Sequence, residues 1–285
     1  MILAARIEAL TGRAPRRLTP LQGGCVAEVV RVELADGTMA VAKRARAGGA
    51  DFGIEAFMLG ELKARSTLPV PAVLAAAPDL LLLEYLPHEP GAALDDRAQV
   101  HAAELVAALH EVRGPSFGYA RDTLIGPLPQ PNPPSGRWVP FFREQRLLHM
   151  AGVAQAAGRL PGSVHRRIER LAGRLEEFLS EPPFPSLLHG DLWGGNILVA
   201  GGRVVGVVDP AIHHGHPEVE LAFGTLFGTF GPAFFRRYAE LRPLAPGFFE
   251  ERRDLYNLYP LLVHVRLFGG GYVASVERTL SRLGC

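Results

Sequence analysis

Cysteine is nearly absent. The 285-residue chain carries only Cys25 and Cys285, which leaves no disulfide framework and no zinc-ligand spacing. Long apolar runs are missing too: the stretch from Leu255 to Phe268 is interrupted by Asn257, Pro260, His264 and Arg266, which excludes a spanning helix. Nor is there a charge of one sign. Thirty Lys and Arg stand against 29 Asp and Glu, a formal net charge of +1, without long like-charge blocks, and that balance argues against a nucleic-acid partner. The opening MILAARIEALTG has an Arg and a Glu among its apolar residues and no small-residue cleavage site, so it reads as a short amphipathic helix and not a signal peptide. These features point to a cytoplasmic protein without a membrane partner. The length suits one large domain or two modest ones.

What the chain does have is concentrated at 187–198, LLHGDLWGGNIL. Asp191 and Asn196 sit on a Gly-containing turn between two apolar runs, and a second apolar strand, VVGVV, leads to Asp209 in a loop at 207–211. This is a layout for phosphoryl transfer: one carboxylate accepts the proton of an attacking hydroxyl, while an amide oxygen and a second carboxylate hold the magnesium that neutralises a nucleotide's phosphates. A solvated Asp-Gly turn would explain Gly190, Gly194 and Gly195. It would not explain His189 and Trp193 in the same loop, nor Asp209.

Upstream, alternating apolar residues predict a three-stranded antiparallel meander ending at Lys43. Gly23 and Gly24 occupy its first turn, where residues without Cβ let backbone N–H groups approach a phosphate; the segment also reads as a plain hairpin. The next helix, Phe52 to about Arg65, leaves Glu55 free to face the sheet and hold Lys43 toward phosphates. A hairpin around Pro78-Asp79 follows and runs into EYLPHEPG. The expected division is an N-terminal lobe over 1–86, a hinge at 87–91 and a helical lobe over 92–285, α+β in class.

Farther along, 95–113 reads as a helix whose His101 and His110 are core or surface residues. The proline-rich run at 114–136 is expected to lack regular structure, and helices are expected at 138–158 and 162–179. His213, His214 and His216 lie close together; with no spaced pair on a helix face and no adjacent Cys, they fit the magnesium loop or an acceptor pocket better than a metal site of their own. Glu218 and Glu220 open a helix, where carboxylates suit the dipole. The remainder reads as helices with aromatic stripes.

HGDLWGGNIL, then VVDPAIHHGHPEVELAFGTLFG and LYNLYPLLVHVRLFGGGY, with FGYARDTLIGPLPQPN upstream, closely resemble the fructosamine kinase (ketosamine-3-kinase) family, a branch of the aminoglycoside-phosphotransferase and protein-kinase-like fold. The resemblance implies a two-lobed fold with a small antiparallel-sheet lobe carrying one main helix. It implies Asp191 as catalytic base, Asn196 and Asp209 as Mg2+ ligands, and Lys43 with Glu55 as the pair orienting the phosphates of ATP. Glu84, Tyr85 and Leu86 would contact adenine, and His189, Trp193, His216 and Glu220 would lie on the acceptor side. The implied reaction transfers the ATP γ-phosphate to the 3-hydroxyl of a sugar amine, a small molecule or a glycated lysine on a protein, and the unstable product then releases the amine. Cys25, inside the Gly-rich turn, is a candidate redox switch: its oxidation, including an intermolecular disulfide, would disorder the nucleotide site. The sequence leaves monomer and homodimer open. Alternatives are a kinase for another small hydroxyl acceptor, such as an aminoglycoside or amino alcohol, and a nucleotide-binding protein without catalysis.

Overall fold

Five short strands build the N-terminal sheet of the structure, a computed structural model that describes residues 3–21, 27–45 and 51–285. Helix α1 (Leu3–Thr11) leads into β1 (Pro15–Pro20), β2 (Ala27–Leu34) and β3 (Met39–Ala45); helix α2 (Phe52–Arg65) is followed by β4 (Val73–Ala77) and β5 (Leu80–Glu84). Neighbouring strands are antiparallel, in the order β1-β2-β3-β5-β4. Successive side chains of a strand point to opposite faces. Ala40, Ala42, Leu80 and Leu82 therefore join Leu3 and Ile7 of α1 in a small core, whereas Leu81 and Leu83 join Met58, Leu59 and Leu62 of α2 in the large one. The same alternation sends Lys43 to the α2 side. Gly23, Gly24 and Cys25, where the sequence predicts a turn, lie outside the described residues.

Beyond β5 the chain is mostly helical. Helix α3 (Asp96–His110) starts on the carboxylate of Asp95, which accepts from Ala98 N–H, one of the donors a helix start leaves unpaired. A continuous helix runs from α4 (Trp138–Phe142) through a π-helical turn at Arg143–Leu148 into α5 (His149–Ala156). Helix α6 (Gly162–Ala172) is shorter than expected; the backbone leaves it at Gly173 and makes a 3-10 turn at Leu175–Glu177.

The stretch 114–136 departs from expectation. It contains a hairpin of β6 (Thr123–Ile125) and β7 (Leu128–Gln130), and buried Gln130 donates to Thr123 Oγ1 and to the Ala211 carbonyl. Its prolines are compatible with this because Pro129 points outward from a two-stranded ribbon whose other edge makes no ladder. The guanidinium of Arg146, wholly buried, donates to Pro131 O at 2.7 Å and Asn132 Oδ1 at 2.6 Å and pins the end of the same stretch.

Two more hairpin-like pairs carry the central loops: β8 (Ser186–Leu188) with β11 (His213–Gly215), and β9 (Ile197–Ala200) with β10 (Arg203–Val207). Helices α7 (Pro217–Leu226), α8 (Pro232–Leu241), α9 (Arg253–Phe268) and α10 (Gly271–Arg282) close the chain. Among the described residues, no helix is long and apolar enough to cross a membrane.

Candidate active site

Strand β3 delivers Lys43 and helix α2 delivers Glu55, whose carboxylate accepts from Lys43 Nζ at 2.6 Å. Lys43 Nζ also pairs with Asp209, so one ammonium joins the N-terminal sheet to the loop after β10. Burial alone would pull the lysine's pKa down; the two carboxylates outweigh it and hold the group above its ordinary value. Asp209 adopts a left-handed backbone, φ 55°, alone among the described non-glycine residues. Such a conformation costs about 1–3 kcal/mol and persists where surrounding contacts over-determine it.

Those contacts come from the stretch 187–198. Ala211 N–H donates to His189 O at 2.7 Å and Val208 N–H to Asn196 O at 3.0 Å. Gly190 makes the close approach possible: its φ is +84°, and a Cβ there would lie 2.1 Å from the Ala211 carbonyl oxygen. Asn196 sits at the end of a 3-10 turn, and its Nδ2 donates to Asp191 O at 2.8 Å and Asp191 Oδ2 at 3.0 Å. Burial, together with the nearby charge of Asp209, pushes the Asp191 carboxyl up to about 7 against the opposing hydrogen bond from Asn196. A carboxylate so poised suits proton abstraction near neutral pH.

A second set of contacts holds this loop from below. Glu220 of α7 accepts from Gly190 N–H through Oε1 at 2.6 Å and meets His110 Nε2 through Oε2 at 3.0 Å, and His110 Nδ1 meets the Tyr238 hydroxyl at 2.7 Å. Glu220 thereby ties α7 to the loop. His189 is fully buried and its Nδ1 accepts from Asp191 N–H at 3.3 Å. His216 caps α7 by accepting from Glu218 N–H at 3.1 Å, with its ring against Trp138 and Tyr256. These three side chains, expected on the acceptor side, thus engage groups of the protein itself. Trp193 is different: it is 39% exposed, lies across Gly195 and meets Phe227 edge-on at 5.9 Å.

At the expected adenine contact, Glu84 N–H is bonded to Ala72 O and Tyr85 N–H to Met39 O, so both donors are used within the sheet. Among the described residues, Leu86 N–H is left without an acceptor. Downstream, Glu89 N–H bonds Val199 O at 2.9 Å and ties this connection to β9.

Beside Asp191 opens a small concavity with Ile125, Val219, Phe223, Tyr259, Val263 and His264 in its wall. It is mostly apolar, and Asp191 and Glu220 are the acids lining it. Among the described residues no three His, Cys, Asp or Glu side chains converge as a metal site, in keeping with His213 and His214 being buried on β11. The donors available to a hard cation are Asn196 Oδ1, left free because its amide nitrogen is turned to Asp191, and the half-exposed carboxylate of Asp209. Two oxygen ligands fit Mg2+, which keeps waters and takes its other ligands from a substrate's phosphates.

His110 and Tyr259 carry site functions that the sequence did not single out. His110 meets Glu220 across 110 positions and Tyr259 meets Gln130 across 129, and no local pattern marks such pairs.

A sequence profile described as fructosamine kinase matches residues 2–284. A probable ketoamine kinase of Synechocystis sp. is 37% identical over 241 residues, spanning 81% of this chain and 78% of that protein. One from Escherichia coli K12 is 36% identical over 237 residues, spanning 81% and 80%. Among solved structures, a candidate fructosamine-3-kinase from Thermobifida fusca superposes with a TM-score of 0.86 at 34% identity, covering 99% of each chain. An aminoglycoside phosphotransferase in ternary complex with AMP-PNP and hygromycin B gives 0.68 at 17% identity, covering 99% and 96%, a likeness of fold. The fold is the two-lobed, protein-kinase-like α+β fold, and the chain belongs to the fructosamine kinase family of ATP-dependent kinases.

Proposed function

We propose that this kinase phosphorylates the 3-hydroxyl of a ketosamine, a fructosamine- or ribulosamine-type sugar amine, and so initiates removal of the sugar from the amine. The observation that carries the proposal is the convergence of Asp191, Asn196, Asp209 and Lys43 in one cleft, with Asp191 Oδ2 fixed by Asn196 and a concavity for a small acceptor directly beside it. In the proposed reaction Asp191 takes the hydroxyl proton, the sugar oxygen bonds to the γ-phosphorus, and the bond to the β,γ-bridging oxygen breaks to release ADP. Lys43, held by Glu55, orients the triphosphate, and Leu86 N–H receives adenine. Asn196 Oδ1 and Asp209 would hold Mg2+, which supplies neutralisation of phosphate charge when bound. Lys43 then passes from Asp209 to the phosphates.

Free sugar amines and glycated lysines both present the hydroxyl this site would use. The test is ADP release with ATP and Mg2+ against ribuloselysine, fructoselysine, kanamycin and choline. Turnover with the first two alone is expected; turnover with kanamycin or choline alone would overturn the assignment of the acceptor.

A further inference from the structure

From His264, in the wall of the concavity beside Asp191, a row of rings from three helices leads away. Phe227, at the end of α7, meets His264 of α9 at 5.0 Å between centroids, and His264 meets Phe268 at 5.6 Å and Tyr272 of α10 at 4.9 Å. The inner end of the row is in the wall itself, where His264 lines the concavity together with Asp191. The outer end is open to solvent: Phe227 is 40% exposed and Phe268 50%. Large rings in core positions are common; here two exposed rings, Phe227 and Phe268, are joined through half-buried His264 to the wall of the concavity, and an apolar surface so placed marks a ligand contact.

Three features define that ligand. The row adjoins the place where the acceptor hydroxyl must sit, so what covers it is attached to the acceptor. Of the acids lining the concavity, Asp191 serves as base and Glu220 has both oxygens engaged by Gly190 N–H and His110, so no carboxylate is left there for a second ammonium group. His264 Nδ1 lies 2.8 Å from Pro260 O, and burial lowers its pKa, so the ring is neutral and adds no charge.

Resting on the ketosamine reading, we infer that Phe227, His264, Phe268 and Tyr272 form a subsite for the amine substituent of the acceptor, selecting sugar amines with an aromatic substituent over those with a small polar or cationic one. Ring-on-ring contact supplies the preference. The chemistry, a ring close to the glycated nitrogen, is shared by free arylalkylamines and by peptides with an aromatic N-terminal residue.

The test holds one sugar constant and varies the amine: ribulose adducts of phenylethylamine, of a Phe-Gly dipeptide through its N-terminus, of ethanolamine and of cadaverine. One aromatic contact of this kind is worth roughly three- to tenfold in affinity. The expected result is a KM for the phenylethylamine or Phe-Gly adduct lower than that of the ethanolamine adduct by about tenfold, with kcat similar; whichever of the two gains more identifies the source. In Phe268→Ala and Phe227→Ala that ratio should fall toward one. Calorimetric binding of the 3-deoxy phenylethylamine adduct to the unmodified enzyme gives the same comparison without any variant. Equal KM across all four adducts, or a preference for cadaverine, overturns the subsite while leaving ketosamine kinase activity standing. Absence of turnover with every adduct, alongside turnover of kanamycin, overturns the ketosamine reading itself.

Discussion

Asn196 turns its amide nitrogen to Asp191, donating to both the backbone carbonyl and Oδ2 of that residue at 2.8 and 3.0 Å. One side chain thereby fixes the proposed base and leaves its own oxygen free for the Mg2+ that the proposed reaction needs. Replacing Asn196 by Ala should lose both effects. A fall in kcat of about a hundredfold or more is expected, together with a raised Mg2+ requirement. Steady-state rates across a magnesium titration separate the two, since excess metal should recover only part of the loss.

Lys43 holds two carboxylates, Glu55 at 2.6 Å and Asp209. In Glu55→Ala the ammonium is left to Asp209, and its hold on the triphosphate must compete with that pairing. A higher KM for ATP is expected, with kcat lowered by about tenfold or more. An unchanged KM and kcat would show that Glu55 only decorates α2.

Gly190 stands where a side chain cannot. A Cβ would meet the Ala211 carbonyl at 2.1 Å, and φ is +84°, so Gly190→Ala must separate the two loops that carry Asp191 and Asp209. Destabilisation of about 2 kcal/mol or more is expected from backbone strain and collision, read as a lowered urea midpoint with unchanged m-value.

Buried imidazoles set the acid limit of stability. Burial drives His213 well below its ordinary value and His216 down to about 3, whereas both titrate near 6.5 when unfolded. The unfolded chain therefore binds protons that the folded chain refuses, so stability is whole above about pH 6.5 and drains as pH falls below it. Each histidine contributes a slope of up to about 1.4 kcal/mol per pH unit. Urea midpoints between about pH 7.5 and 5 should show this fall. In His216→Asn, which keeps a cap for α7, the slope should be shallower.

The strands and the first helices were legible because their alternation and periodicity are local: Lys43 on β3 and Glu55 on α2 follow from which face each element buries. Asp191, Asn196 and Asp209 were legible because loop chemistry confines them to a short stretch. The β6/β7 hairpin was hidden because prolines mask a ribbon only three residues long on each side, held by Gln130 and by distant Arg146. The partners of His189, His216 and Glu220 were not legible: a side chain that orients a loop and one that faces a ligand have the same spacing in sequence, and burial and hydrogen-bond partners are what distinguish them. The row from Phe227 to Tyr272 was not legible, since it gathers rings from three helices and periodicity does not say which end of a stripe reaches water.

Asp191→Asn tests the assignment of the base most directly. The amide keeps the size of the side chain and cannot accept the hydroxyl proton as a carboxylate does. ATP affinity, measured by calorimetry in Mg2+, should stay within about twofold, while kcat on a ketosamine that the unmodified enzyme turns over should fall by about a hundred- to ten-thousandfold. Retained turnover in Asp191→Asn would contradict the assignment of Asp191 as the base.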